Sequence, residues 1–150
     1  MAKVIGGDQL GPHLEGMAQR LGKANTVEIG FLGGATYPDG TSVAMVAAIN
    51  EFGTRKQPPR PFFRTMIAAQ EGGWGEAIAA NLKANDYNAG TTLEQVGAAI
   101  AGQLRQSIAT FDGAPLAAST VKAKGFAKQL IDTGVMSNSV DHVVNTGKDD

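Results

Sequence analysis

Apolar residues recur every three or four positions in several parts of the chain, which is the spacing of an amphipathic helix. The pattern predicts helices over residues 8–21, 42–52, 61–83 and 91–110. The last of these has an uninterrupted stripe of Leu93, Val96, Ile100, Leu104 and Ile108. It also starts with Thr91 and Glu94, which are spaced as a capping box. Gly72 and Gly73 predict a kink or a break in the third helix, because each glycine costs about 1 kcal/mol relative to alanine.

Alternation of apolar and polar residues predicts two strands. The alternation is clear over residues 26–32 and weaker over residues 139–144. A Pro-Asp-Gly turn at 38–40 follows the first strand and predicts a hairpin or an extended loop there.

These elements together predict an α+β fold, in which a small antiparallel sheet packs against three main helices. The length of 150 residues suits one domain over 1–150, with 145–150 as a flexible tail. The fold would also contain a long loop at 53–60, between the second and third predicted helices.

The helix predicted over 42–52 is apolar on two sides. Val43, Val46, Ala47 and Asn50 share one face, and Met45, Ile49 and Phe52 share another. A helix with two apolar sides is either well buried or lies at a subunit contact.

The loop 53–60 is expected to be stiff and basic. Gly53 suits the residue just past a helix end, because a left-handed backbone costs glycine little. Pro58 and Pro59 prevent the helix from continuing, and Pro61 suits the first position of the next helix. Such a loop loses little entropy when it is held in one shape, so we expect it to be a contact element.

Composition narrows the possible function classes. The net charge is −1 and the chain has no cysteine. Because the net charge is close to zero, the protein as a whole does not attract nucleic acid or an acidic membrane electrostatically. Because cysteine is absent, disulfides, thiolate metal sites and thiol catalysis are excluded. No apolar run approaches the roughly 20 residues of a membrane helix, and the start of the chain does not read as a signal peptide. We expect a soluble intracellular protein.

Few residues suggest catalytic chemistry. His13 and His142 lie in distant segments and lack the spacing of metal ligands. Asp132-Thr133-Gly134 matches the short motif of aspartic proteases, but those enzymes need two such aspartates that share a proton. A cap on a short turn explains the motif more simply. We therefore predict no enzymatic activity, no metal and no cofactor, with a hydrolase centred on Asp132 as the alternative.

Basic residues cluster in and just after the loop. They are Arg55, Lys56, Arg60 and Arg64. Such a cluster can bind phosphates, contact another subunit or remain solvated. Phe62 and Phe63 open the next amphipathic helix, so we expect them to anchor the core rather than to stack on bases.

This region resembles the signature of small tailed-phage neck and tail-completion proteins, the head–tail joining family. The resemblance rests on Asn50-Glu51-Phe52-Gly53-Thr54, a short gap, and Pro58-Pro59-Arg60-Pro61-Phe62-Phe63-Arg64. Residues 114–125, 130–134 and 138–140 are similar to the C-terminal half of that family. The opening residues 6–10 and the strand at 27–31 also fit, so the match spans nearly the whole chain in the same order.

The resemblance implies an α+β subunit that forms a ring, expected to be a hexamer, between the portal complex and the tail tube. The ring would complete the head-proximal end of the tail and join it to the DNA-filled head. Its partners would be a head-closure or connector protein and a tail terminator or tail-tube protein. DNA would pass through the lumen without specific binding, and no membrane would be involved. The implied location is the virion neck or tail, after assembly in the host cytoplasm.

The resemblance also implies roles for individual residues. The expected subunit or ring contacts are Glu51, Arg55, Lys56, Arg60 and Arg64. The expected structural motif is Phe52, Gly53, Pro59, Pro61, Phe62, Phe63, Asp132 and Gly134. Arg60 and Arg64 would pair with carboxylates or carbonyls of a neighbour. The alternative is a sequence-tolerant nucleic-acid-binding protein that uses the basic loop 55–64, together with the lysines at 122–128.

Overall fold

The computed structural model describes residues 7–22, 24, 26–112 and 134–146. In chain order the elements are α1 (Gly7–Leu21), β1 (Thr26–Gly30), α2 (Val43–Phe52), α3 (Phe62–Ala84), α4 (Ala89–Thr110), α5 (Val135–Asn138) and β2 (Asp141–Asn145). The α+β prediction is confirmed. Predictions on residues 114–133, which include Asp132 and the nearby lysines, fall outside the described residues.

Helix α4 is the centre of the fold. Its predicted apolar stripe is confirmed, because Val96, Ile100, Leu104 and Ile108 are all buried. The helix packs against α1, α3, α5 and both strands. Nearly the whole described core is therefore built around one helix, and burial of its apolar side chains supplies the main favourable term in folding.

The sheet consists of β1 and β2, which pair antiparallel. Thr26 lies opposite Asn145, and Gly30 lies opposite Asp141. The prediction that Asn145 belongs to a flexible tail is therefore wrong. The sheet packs mainly against α4, and the Phe63 ring of α3 reaches Gly30 of β1, so the predicted equal packing against three helices is too broad.

An extended loop, rather than a hairpin partner, follows β1. The predicted turn is confirmed within it, because the Gly40 amide donates to the carbonyl of Tyr37 at 2.9 Å. The Asp39 carboxylate accepts from the Thr41 amide at 2.9 Å, and this bond holds the pKa of Asp39 below its usual value. The loop leads directly to Ser42, whose side chain caps α2 by accepting a hydrogen bond from the Met45 amide at 3.3 Å.

Two helix starts differ from the prediction. The capping box is wrong, because α4 begins at Ala89 and the Asn88 side chain accepts from the Thr91 amide at 3.1 Å. Helix α3 begins at Phe62 rather than at Pro61. The helix then continues unbroken through Gly72 and Gly73, so the predicted break is absent. Tertiary packing of α3 on α4 outweighs the low helix propensity of the glycines.

Helix α1 forms where predicted, but its apolar stripe does not enter the core. Leu10, Leu14 and Leu21 are exposed by 57%, 53% and 40%. Among the described elements α1 packs only against α4. Arg20 fixes its end by donating to the carbonyl of Asp86 at 2.8 Å. No helix in the described ranges is long and apolar enough to cross a membrane.

Candidate contact surface

The carboxylate of Glu51, near the end of α2, caps the beginning of α3. One oxygen accepts from the Phe63 amide at 2.9 Å, and the other accepts from the Arg64 amide at 3.2 Å. Free amides and the positive end of the helix dipole make a helix start favourable for a carboxylate. Glu51 is only 6% exposed, so these bonds hold a buried charge.

Pro61 explains why α3 needs this remote cap. A proline at the capping position has no side-chain oxygen to offer the helix amides. Its φ of −78° and ψ of 61° instead form a tight turn in which the Phe62 amide donates to the carbonyl of Arg60 at 2.8 Å. The Glu51 carboxylate accepts from the next two amides of the first turn, those of Phe63 and Arg64. These bonds join α2 and α3 at a fixed angle.

Arg64 completes this junction from the solvent side. Its Nε donates to the Glu51 carboxylate at 2.7 Å, and one terminal nitrogen donates to the main-chain carbonyl of Glu51 at 2.9 Å. The guanidinium also lies 5.4 Å from the ring centre of Phe52. The Arg64 side chain is 57% exposed, so its remaining surface is accessible to a partner.

Asn50 determines the path of the loop. Its side-chain oxygen accepts from Gln57 at 3.1 Å and from a terminal nitrogen of Arg60 at 3.2 Å. Its main-chain carbonyl accepts from the Arg60 amide at 2.6 Å. Asn50 therefore holds both the middle of the loop, at Gln57, and its end, at Arg60.

Arg60 lies inside the subunit rather than on its surface. It is only 7% exposed, and its buried Nε has no hydrogen-bond partner. No carboxylate of the described residues lies within ion-pair distance of it. The main role that the structure gives to Arg60 is to close the loop onto Asn50.

The tip of the loop is a small two-residue turn. Thr54 and Gln57 form a β-bridge, in which the Thr54 amide donates to the carbonyl of Gln57 at 2.8 Å. The Thr54 hydroxyl also accepts from the Gln57 amide at 3.1 Å. Between them, Arg55 and Lys56 are exposed. The turn therefore presents two adjacent cations on a defined backbone.

Gly53 is required at the base of the loop, as predicted. Its φ is +74°, a conformation that costs other residues energy. A Cβ at this position would lie 2.7 Å from the nitrogen of Pro59 and 2.8 Å from the carbonyl oxygen of Gln57. The two halves of the loop can approach this closely only because position 53 has no side chain.

The two phenylalanines after the loop anchor it to the core, as predicted. Phe62 is 1% exposed and packs edge-on against Phe31 at a centroid distance of 6.3 Å. Phe63 is half-buried and packs against Phe62. The Ser107 hydroxyl on α4 donates to the carbonyl of Phe62 at 2.7 Å, which ties the start of α3 to the central helix.

An apolar groove lies beside this anchor. It has a volume of about 190 Å³ and is bounded by α2 and the phenylalanines. Its lining comprises Phe31, Ala44, Ala47, Ala48, Glu51, Phe52, Phe62 and Phe63. On its outer side Phe52 is 70% exposed, Met45 56% and Ile49 36%. One of the two apolar sides predicted for α2 thus enters the core, and the other faces solvent.

The structure therefore divides the predicted contact residues into two groups. Glu51 and Arg60 are buried within the subunit and hold the loop in place, and their expected contact with a neighbour stays a prediction. Arg55, Lys56 and Arg64 are the accessible members. The sequence pattern missed the role of Asn50, and a polar residue among the buried-face positions of α2 was the available signal.

Of the two C-terminal residues expected in the structural motif, Asp132 and Gly134, the structure describes only Gly134. Gly134 has a φ of +76° and precedes α5, where the Asn138 amide donates to its carbonyl at 2.9 Å. The buried Met136 of α5 belongs to the core. Asp132 lies outside the described residues, so its roles stay predictions. Within the described ranges no group of three or more His, Asp or Glu side chains could hold a metal ion.

Comparisons with protein-family models, with curated proteins and with solved structures find no match to this chain.

Proposed function

We propose that this chain is a structural virion protein of a tailed phage, which forms a ring in the neck, completes the tail and joins it to the DNA-filled head. The observation that carries the proposal is the construction of the loop between α2 and α3. Bonds from Asn50 and Glu51 hold this region in one shape, while Arg55 and Lys56 stand exposed at its tip. A contact element that is already ordered loses little entropy when it binds.

The loop and the outer side of α2 together form a continuous candidate contact. Phe52 offers a large exposed aromatic surface, and Arg64 lies against its ring. Exposed aromatic and arginine side chains are enriched at the energetically important positions of protein interfaces. The combination of an exposed aromatic ring and an arginine therefore favours a contact with a protein partner over the interpretation that the loop is only solvated.

The proposed assembly is a homo-oligomeric ring, expected to be a hexamer. It would contact a head-closure or connector protein and a tail terminator or tail-tube protein. DNA would cross the lumen without specific binding, which suits a chain with a net charge of −1. The proposed location is the neck or tail of the virion, after assembly in the host cytoplasm.

Particle assembly tests this proposal. The double variant Arg55→Glu/Lys56→Glu should fold normally, because both side chains are exposed, yet it should fail to support joined, infectious particles. A Lys83→Glu variant, at an exposed position near the end of α3, is the matched charge-reversal control and should support assembly. Joined particles at wild-type yield from the double variant, or from a chain lacking residues 54–59, would refute the role of the loop.

Nucleic-acid binding is the second candidate function. Exposed Arg55 and Lys56 near exposed Phe52 form a combination that can contact phosphates and stack on bases. The test is a mobility shift of duplex and single-stranded DNA by the full chain over a range of salt concentrations. Binding that weakens with salt and is abolished by Arg55→Glu/Lys56→Glu would support this function, and no shift even at low salt would exclude it.

A further inference from the structure

A polar groove with a volume of about 460 Å³ lies between α3 and α4. Small-molecule sites in proteins have volumes of roughly 300–1,000 Å³, so the groove is large enough to hold a ligand. It shares no residue with the loop 53–60 or with the exposed side of α2. Six of the described residues that line it carry an amide or a hydroxyl group: Thr65, Gln70, Gln103, Gln106, Ser107 and Thr110.

Helical spacing brings the polar residues of α4 together on one wall of the groove. The four α4 residues of this set are three or four positions apart, and residues at such intervals lie above one another on a helix. The facing wall belongs to α3, which contributes Thr65 and Gln70. Because both walls are regular helices, the positions of these side chains are more precise than they would be on a loop.

A chain of hydrogen bonds that starts at Trp74 orients two amides of the groove. The indole N–H of Trp74 donates to Oε1 of Gln103 at 2.9 Å, and Nε2 of Gln103 donates to Oε1 of Gln70 at 3.4 Å. The indole nitrogen can only donate, so it determines which end of the Gln103 amide is the oxygen and, through Gln103, the orientation of Gln70. Both N–H groups of Gln70 therefore have no partner among the described residues.

The other polar groups of the groove can also bind a ligand. The side chains of Gln106 and Thr65 make no hydrogen bond with the described residues. The Ser107 hydroxyl donates to the carbonyl of Phe62 at 2.7 Å, and the Thr110 hydroxyl donates to the carbonyl of Gln106 at 2.8 Å. Both hydroxyl oxygens can still accept. The groove thus presents donors and acceptors on both of its walls.

The lining favours an uncharged ligand. None of the described residues that line the groove is charged. Proteins bind carboxylates and phosphates mainly through arginine and lysine, and they bind nucleic acid through such cations as well. A peptide would need pockets for its side chains, but Met66 and Ala69 are the only apolar side chains among the described residues of the lining. A saccharide is uncharged, and each of its hydroxyl groups can donate and accept, as the groups of the groove can.

We propose that the groove between α3 and α4 binds an uncharged saccharide. Gln70, Gln103 and Gln106 are the main hydrogen-bonding residues, because a free amide can donate to one sugar oxygen and accept from a neighbouring hydroxyl. Trp74 is a positioning residue, which acts through the orientation of Gln103. The inference goes beyond the proposed ring and does not depend on it, since the groove and the proposed contact surface share no residue.

Titration of the full chain with sugars tests the site. The probes are glucose, N-acetylglucosamine and their β-1,4-linked disaccharides. The chain has one tryptophan, so its intrinsic fluorescence reports on Trp74, whose indole N–H is bonded to a residue of the groove. At least one of the four sugars should change the fluorescence in a saturable way. Isothermal titration calorimetry should give the same dissociation constant.

A pair of glutamine variants locates the binding. Gln106→Leu removes an exposed amide from the groove and should raise the dissociation constant about tenfold, as the loss of a hydrogen bond does. Gln19→Leu, at an exposed position on α1, is the matched control and should bind as the wild type does. Thermal unfolding verifies that each variant is folded at the temperature of the titration.

A double-mutant cycle, measured by calorimetry, tests the role of Trp74. Trp74→Phe keeps an aromatic ring but has no N–H to orient Gln103, so it should weaken binding about threefold. The same substitution should have no further effect in the Gln103→Leu background, because Trp74 acts through Gln103. Equal losses in both backgrounds would refute the positioning role.

Three results would refute the saccharide site. The first is the absence of a saturable signal from all four sugars at their highest soluble concentrations. The second is an equal affinity of Gln106→Leu and Gln19→Leu, which would place the sugar outside the groove. The third is tighter binding of the blocked dipeptide N-acetyl-alanyl-alanine amide than of any sugar, which would identify the groove as a peptide site.

Discussion

Glu51 and Phe63 join two helices across the loop between them: the carboxylate of Glu51 accepts a hydrogen bond from the Phe63 amide at 2.9 Å. The same carboxylate accepts from the next amide, at Arg64. One buried side chain thus sets where α3 begins and how it leaves α2. The contact surface proposed here depends on that junction, because the loop tip and the exposed side of α2 keep their relative positions through it.

Glu51→Ala should lower the free energy of unfolding by about 2 kcal/mol, because it leaves two helix amides without acceptors, each worth about 1 kcal/mol. Glu51→Gln retains one acceptor oxygen and should cost about half as much. Urea unfolding monitored by circular dichroism measures both. Asp86→Asn serves as the control and should cost about 0.5 kcal/mol, since the Asp86 carboxylate is exposed in its ion pair with Arg20 and such pairs contribute little. Equal stabilities of Glu51→Ala and the wild type would show that the cap is unimportant.

Asn50→Ala should cost about 2 kcal/mol, because it removes the oxygen that accepts from Gln57 and from the buried Arg60. Asn81→Ala is a closely matched control. Asn50 and Asn81 each donate to the carbonyl four residues earlier in their helix, but the described contacts of Asn81 do not include a loop. The control should therefore change stability by no more than about 0.5 kcal/mol. Similar effects of both substitutions in thermal unfolding would contradict the role given to Asn50.

Gly53→Ala should cost about 3 kcal/mol, from the left-handed backbone and from the collision of the new Cβ with Pro59 and Gln57. Gly40→Ala separates the two effects. Gly40 has a φ of +86° but open space around its Cβ position. It should therefore show only the backbone term of about 1 kcal/mol. If the two variants lost the same stability, the close packing at the base of the loop would be absent in solution.

Two glycines of α4 should respond to alanine with opposite signs. At Gly97 a Cβ would lie 2.7 Å from side-chain atoms of His142 and Val27, so Gly97→Ala should push the sheet away and cost about 2 kcal/mol. At Gly102 the same position is open, so Gly102→Ala should stabilise the fold by up to about 1 kcal/mol. Differential scanning calorimetry would show melting temperatures on either side of the wild type. A gain at both positions would mean that β1 and β2 do not rest on α4.

The sequence predicted correctly those helices whose apolar residues repeat over several turns. The predicted stripe of α4 was correct because its apolar residues repeat over several turns, and the prediction for Gly53 was correct because a helix end depends on local sequence. The sheet partner of β1 could not be predicted in the same way. Thr26 and Asn145 are 119 positions apart in the sequence, and no local pattern records which strands pair.

The position of the candidate contact surface could be predicted from the sequence, but the roles of its individual residues could not. The density of proline, arginine and phenylalanine marked the loop as stiff and basic. That same composition does not reveal that Glu51 caps a helix twelve residues later, or that Arg60 turns inward. Both depend on how α2 and α3 meet in three dimensions, which a one-dimensional pattern does not specify.

The most direct test of the central claim is electron microscopy of particles produced by the proposed phage after the gene for this chain is removed. The proposed function predicts DNA-filled heads and separate tails, with joining restored when the wild-type chain is supplied and not when Arg55→Glu/Lys56→Glu is supplied. Joined and infectious particles at normal yield in the absence of the chain would contradict the proposed function.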